Sequence, residues 1–296
     1  MKDHQKLQYI EGVETRVAQL ISQQVWQGLD AARCRTWMKQ FHDRDCALLG
    51  ATLLDNLIYR SRPQVEALLK TVLTGPDLNG PDAEHDFSLI EMLRSRVDPG
   101  VRLSPVIRLD QSPTKSGTYV LRLLARSLRL NERWMKWPQA LLNAPEHIHT
   151  VILVDDFCGT GSQFADFITL TNFDVFMQSR PQCKVVYLTA AAHTDGLAKI
   201  AENYSQIQVL PAETLNLDQN FFLGNALKRF KGAINDAELR ESYDKIASEA
   251  GFLLSSVGPL GYEDQALTYA FAHGTPNNTL PIYWYQNERW SSLVDR

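Results

Sequence analysis

The chain has 296 residues, 44% of them apolar and 22% charged, and a formal net charge of -4, the make-up of a soluble globular protein with room for one large or two ordinary domains. That charge speaks against a surface tuned as a whole to nucleic acid. The opening MKDHQKLQYIEGVETR lacks the apolar core of a secretory signal, and no run approaches the roughly 20 apolar residues of a membrane helix, so a cytoplasmic setting with no membrane partner is expected.

Between Val13 and Leu73 the apolar residues recur at helical spacing, which predicts helices over 13–28, 30–40, 44–59 and 63–73. Pro63 suits a first helical turn. Thr74 to Asp82, TGPDLNGPD, reads as a linker. A domain boundary is therefore expected near residue 80, between a small all-helical, winged-helix-like domain (1–80) and an α/β domain (81–296). Arg33, Arg35, Lys39, Arg44, Arg60 and Arg62 could give residues 1–80 a nucleic-acid face. Asp30, Asp43, Asp45, Asp55 and Glu66 are interleaved with them, so an ordinary solvated surface is an equal reading.

Beyond the linker, strands alternate with helices, which predicts a Rossmann-like parallel sheet. Strands are expected over 104–109, 151–157, 184–190, 207–210 and 266–273, and helices over 118–130, 164–170, 194–204 and 236–250. The loop from Asp110 to Thr118 places Lys115, Ser116 and Gly117 just before a helix, suited to a pyrophosphate group or equally to an ordinary turn and cap. Val151 to Val154 is apolar at every position, as in a strand covered on both faces. Asp155 and Asp156 follow at its carboxyl end, where open α/β sheets bind ligands. Because successive side chains alternate, the two carboxylates converge on one ligand only if the strand ends there.

Gly159, Thr160, Gly161, Ser162 and Gln163 then lead into a helix whose first N–H groups favour an anion. Acceptors for hydroxyls beside a phosphate cradle describe a sugar phosphate; the plain alternative is an exposed strand end with a helix cap. Cys158 sits where a thiol pKa can fall, or is simply a packed loop residue. Neither the four cysteines nor the seven histidines show zinc-type spacing, so reduced thiols and no protein-held metal cluster are expected. After the last strand, Asn277 and Asn278 could bond a base or sugar with Trp284 as a stacking surface. Turn chemistry and core packing are the alternative.

The stretch VILVDDFCGTGSQ resembles the phosphoribosyl pyrophosphate (PRPP) motif of the type I phosphoribosyltransferases: an apolar strand, two acids, two variable residues, then a small-Thr-Gly-Gly-Thr loop. The resemblance implies that Asp155 and Asp156 hold the ribose 2′ and 3′ hydroxyls and that Gly159 to Gln163 wrap the 5′-phosphate. It further implies that Lys115 to Gly117 form the pyrophosphate loop, and that Mg²⁺ bridges hydroxyls and pyrophosphate of PRPP or a nucleotide. Ser162 and Gln163 stand where the family has glycine and threonine, so one hydroxyl donor is missing or is supplied by Ser162.

With the helical N-terminal segment and the tail HGTPNNTLPIYW, the chain is similar to phosphoribosyltransferase-like effectors of bacterial conflict systems, some encoded beside retron reverse transcriptases. That resemblance implies an anti-phage effector or toxin whose partners include the reverse transcriptase and its RNA–DNA hybrid. Its implied chemistry is ribosyl transfer or N-glycosidic hydrolysis at the ribose C1, through an oxocarbenium-like state. The alternative is a non-catalytic ribose-phosphate sensor or a nucleic-acid- or protein-binding module.

Overall fold

The computed structural model describes residues 2–79, 88–108, 110–112, 115–224 and 235–296. In chain order these form α1 (Asp3–Ser22), α2 (Ala31–Met38), α3 (Arg44–Asn56), β1 (Ile58–Arg60), α4 (Arg62–Thr74), α5 (Pro76–Asn79), α6 (Ser88–Arg94) and β2 (Val101–Pro105). There follow α7 (Ser116–Leu128), α8 (Pro138–Leu141), β3 (Thr150–Cys158), α9 (Ser162–Leu170), α10 (Phe173–Ser179) and β4 (Lys184–His193). The last elements are α11 (Thr194–Asn203), β5 (Ile207–Leu215), α12 (Asp236–Ala250), β6 (Tyr269–Phe271) and α13 (Pro281–Trp284). Among the described residues no helix is long and apolar enough to cross a membrane.

The chain divides into two compact units, Pro63–Leu215 and Met1–Arg62 with Asn216–Arg296. The boundary expected near residue 80 lies outside the described residues, and most of α4, on its near side, belongs with the first of these units.

In Pro63–Leu215 the sheet is wholly parallel, in the order β2-β3-β4-β5. Each step between neighbours passes through at least one helix, as parallel pairing requires. Val151, Ile152, Leu153 and Val154 are each 0% exposed, which accounts for an apolar run without alternation. On one face Val151, Leu153, Val185 and Tyr187 join a cluster with Phe164, Phe167, Phe173 and Phe176, while α7 packs on β2 and β3. β2 starts and ends earlier than expected; Leu109, the end of the expected strand, lies outside the described residues.

The fifth expected strand does not join this sheet. Only Tyr269–Phe271 of it is strand, and it pairs in parallel with β1 in a two-stranded sheet of the other unit. A short apolar run carries no signal of which strand it will pair with. β1 itself replaces the end of the helix expected over 44–59, and α1 starts well before residue 13 because its first turns, DHQKLQYIEG, are too polar to show helical periodicity.

In the second unit the N-terminal helices are completed by the C-terminal aromatics. Trp37 is 0% exposed, stacks on Tyr283 with centroids 5.9 Å apart, and donates from Nε1 to the Ile282 carbonyl at 3.0 Å. Trp290 donates to that same carbonyl at 3.0 Å, and the Tyr283 hydroxyl donates to Leu53 O at 2.8 Å. Two of the basic residues considered for nucleic acid are engaged at home: Arg33 donates to Ser292 and Asp295, and Arg44 to Asp3. Replacing the indole of Trp37 by a methyl empties the centre of this core, so Trp37→Ala is expected to cost about 3–5 kcal/mol, read as a shifted midpoint in urea unfolding.

Candidate functional site

β3 does not stop at the acidic pair; it continues to Cys158, with Phe157 and Cys158 in register with Ala191 and Ala192 of β4. The acidic pair therefore lies within the strand, and its two carboxyl groups are close enough to interact. Asp155 is 2% exposed. Its Oδ2 accepts from the Tyr187 hydroxyl at 3.2 Å and its Oδ1 from the backbone N–H of Asp156 at 3.0 Å. Burial, reinforced by the neighbouring Asp156 charge, raises its pKa well above the usual carboxylate range. Asp156 is 9% exposed, and its Oδ1 accepts from the Ser116 hydroxyl at 2.9 Å. Asp155 also turns to Tyr187 and Asp156 to the start of α7, while the two carboxyl groups interact with each other.

That Ser116 bond joins the two predicted loops. Lys115 is the residue before α7, Ser116 opens the helix, and Gly117 is buried in its first turn; Pro113 and Thr114, between Asp110 and Lys115, lie outside the described residues. Ahead of them Arg108 holds Asp110 with Nε and Nη2, each at 3.0 Å, and reaches Asp166 of α9 with Nη1 at 3.2 Å. These carboxylates raise the Arg108 pKa and lower that of Asp110.

The turn after β3 is shaped by its glycines. Gly161 has φ +76 at the position preceding α9, a left-handed conformation that a side chain would strain. Gly196, near the start of α11, lies so close that a Cβ there would stand 2.5 Å from Gly159 O and 2.8 Å from Cys158 Sγ. Thr160 Oγ1 donates to Ser162 Oγ at 3.1 Å, and Lys199 Nζ of α11 donates to the same oxygen at 2.8 Å. Gln163 is exposed. The N-terminus of α9, with orphan backbone N–H groups and a favourable dipole, opens on this turn. Cys158 is 3% exposed, and burial pushes its thiol up to about 12, so it is the packed residue of the two readings.

Asn277 and Asn278 belong to the other compact unit. Asn278 is 4% exposed; its Nδ2 donates to Tyr262 O at 3.3 Å, and the Asn277 carbonyl accepts from Tyr262 N at 2.8 Å. Both serve the turn. Trp284 is 8% exposed, bonded through Nε1 to Thr279 O at 2.9 Å, and covered by the Arg296 guanidinium 4.3 Å from its ring centre.

Tyr187, Arg108, Gly196 and Lys199 are the site residues that sequence reasoning missed. Tyr187 reads as one more apolar strand residue, and Gly196 and Lys199 sit in a helix with no motif of their own. Among the described residues no group of three or more His, Cys, Asp or Glu side chains could hold a metal ion.

The family model described as PRTase-CE matches residues 34–296. No curated protein matches the chain. A solved structure titled as the AQ2163 protein from Aquifex aeolicus is similar at 13% identity and a TM-score of 0.32, covering 62% of this chain and 83% of that one, a likeness too slight to bear on fold or function.

Two outcomes are expected from this geometry. Gly196→Ala forces a carbon into the Gly159 carbonyl and is expected to destabilise by about 1–3 kcal/mol, measured by urea unfolding. The second concerns pH. The folded chain holds the Asp155 proton more tightly than the unfolded chain, so above about pH 4 the unfolded state binds fewer protons and stability falls as pH rises. Asp155→Asn is expected to flatten that slope; parallel stability curves for wild type and variant across pH 4–8 would refute it.

Proposed function

We propose that this chain, which belongs to the PRTase-CE family, binds a phosphorylated ribose at the carboxyl edge of its four-stranded sheet. The observation that carries the reading is the bond from Ser116 to Asp156, which draws the start of α7 and the acidic end of β3 together beside the glycine turn into α9. Asp156 is the carboxylate for the sugar hydroxyls, the turn from Gly159 to Gln163 takes the 5′-phosphate, and Lys115 with Ser116 faces a pyrophosphate. Asp155, itself held by the Tyr187 hydroxyl, supports Asp156 through the Asp156 backbone N–H.

The chemistry we propose is displacement at the ribose C1, by transfer or hydrolysis. Mg²⁺ prefers one or two carboxylates together with substrate phosphates. The donor set here, Asp156 with the Ser116 hydroxyl, suits an ion that arrives on a ligand's pyrophosphate, where it would neutralise the leaving group. The setting we propose is a bacterial conflict-system effector in the cytoplasm, working beside a retron reverse transcriptase and its RNA–DNA hybrid. Its support is the likeness of motif and tail to such proteins. The same likeness supports a winged-helix-like role in nucleic-acid binding for residues 1–80.

A second reading, a sensor that binds without turnover, is favoured by one observation: Asp155 is buried, which biases one carboxyl of the pair toward its neutral form.

Phosphorus NMR and titration calorimetry with PRPP, ribose 5-phosphate and NAD in the presence of Mg²⁺ separate these readings. Binding is expected in the wild type, weakened about tenfold or more in Asp156→Asn, the scale of a hydrogen bond to a charged group. Turnover lost in that variant identifies an enzyme, and binding alone a sensor. Failure of the wild type to bind any of these compounds would sink the ribose-phosphate reading.

A further inference from the structure

We infer that Lys199 is the cationic ligand of the 5′-phosphate, supplied to the turn by the following crossover helix; this rests on the ribose-phosphate reading above. Compared with the motif it resembles, the turn carries no hydroxyl at 163, where the side chain is glutamine and is exposed. Thr160 and Ser162 remain, and the first of them already spends its proton on the second at 3.1 Å. A dianionic phosphate at this turn would meet few side-chain donors from the turn itself.

α11 brings the missing group. Gly196 and Lys199 are three residues apart and so share one helix face. Gly196 is set against the turn: its Cβ, were there one, would stand 2.5 Å from Gly159 O and 3.1 Å from Gly161 N. The same contact brings Lys199 in, and a Cβ on Gly161 would lie 3.5 Å from the Cβ of Lys199. The ammonium then reaches Ser162 Oγ, at the first residue of α9, at 2.8 Å. An ammonium has three donors, and no ion pair to a carboxylate engages Lys199 among the described residues. A partly buried cation with donors to spare, tied to the residue that opens a helix, is a phosphate ligand of the point-charge kind. The departure of Ser162 and Gln163 from the glycine and threonine of the resembled motif is thereby offset by charge. Such a site favours phosphorylated ribose over the bare nucleoside.

The test is titration calorimetry of the full chain with ribose 5-phosphate and with inorganic phosphate, for wild type, Lys199→Gln and Lys199→Arg. Lys70→Gln, an equal loss of charge on an exposed position of α4, controls for net charge. Lys199→Gln is expected to weaken ribose 5-phosphate binding about tenfold to a hundredfold, with Lys199→Arg between it and wild type and Lys70→Gln at the wild-type value. A folded Lys199→Gln that binds like wild type overturns the assignment and leaves the ribose-phosphate reading intact. A wild type that binds neither probe overturns both. Should Lys199→Gln fail to fold, acetylation of the wild type with acetic anhydride decides: saturating ribose 5-phosphate is expected to shield Lys199 severalfold, by mass spectrometry, and equal labelling with and without it refutes the assignment.

Discussion

Alternation of side chains along β3 is the constraint from which the geometry of the acidic edge follows. The strand is covered on both faces and resumes its register with β4 at Phe157 and Cys158, so the two adjacent aspartates meet different neighbours even though their carboxyl groups interact. One must enter the apolar layer built on Leu153 and Tyr187. Asp155 does so, at the cost of desolvation, and the Tyr187 hydroxyl with the Asp156 N–H satisfies its oxygens. Asp156 is thereby turned toward α7. A pair of identical residues ends up in two different settings: a carboxyl biased toward its neutral form by burial, and a second one placed beside the Ser116 hydroxyl.

Around this edge the chain assembles groups that are distant in sequence. α7 provides a hydroxyl and a preceding lysine, α9 its N-terminus, and α11 a glycine that permits close approach together with an ammonium that uses it. The last two are inseparable, because a side chain at residue 196 would push against Gly159 and carry Lys199 away with the helix. Arg108 ties β2's exit to both Asp110 and Asp166, fixing the α9 side of the turn. The result is a rim where Lys115, Lys199 and the N-termini of α7 and α9 stand among the carboxylates of Asp110, Asp156 and Asp166.

How much of this was legible in the sequence depends on whether the signal was local. The run Val151 to Val154, the acids, the glycines and the helix after them are consecutive, and their order suffices to predict a strand, a turn and a helix start. Ser116 was legible as part of a small-residue helix start, though its bond to Asp156, 40 positions away, was not. Tyr187 lay hidden because a tyrosine in an apolar strand looks like any other core residue. Lys199 lay hidden because a lysine on an amphipathic helix looks like solvated surface. The tail allowed two readings, a ligand edge or turn chemistry and core packing, and the sequence could not show that Asn278, Trp284 and Trp290 spend side-chain N–H groups on backbone carbonyls. Pairing partners are a matter of tertiary packing, which is why the strand at 269–271 could be found and its sheet could not.

The unit that combines Met1–Arg62 with Asn216–Arg296 also fixes an order of events during synthesis. Leu53 and Tyr283, bonded in its core, are 230 positions apart. At about 5–20 residues per second the ribosome takes roughly 10–50 seconds to pass from one to the other. Over that interval Trp37, Leu49 and Leu53 lack Tyr283 and Trp290 of their cluster, while the parallel sheet encoded in between can already form. The nascent N-terminal helices are thus clients for a holding chaperone, and a message broken after residue 215 yields a sheet without a finished second unit.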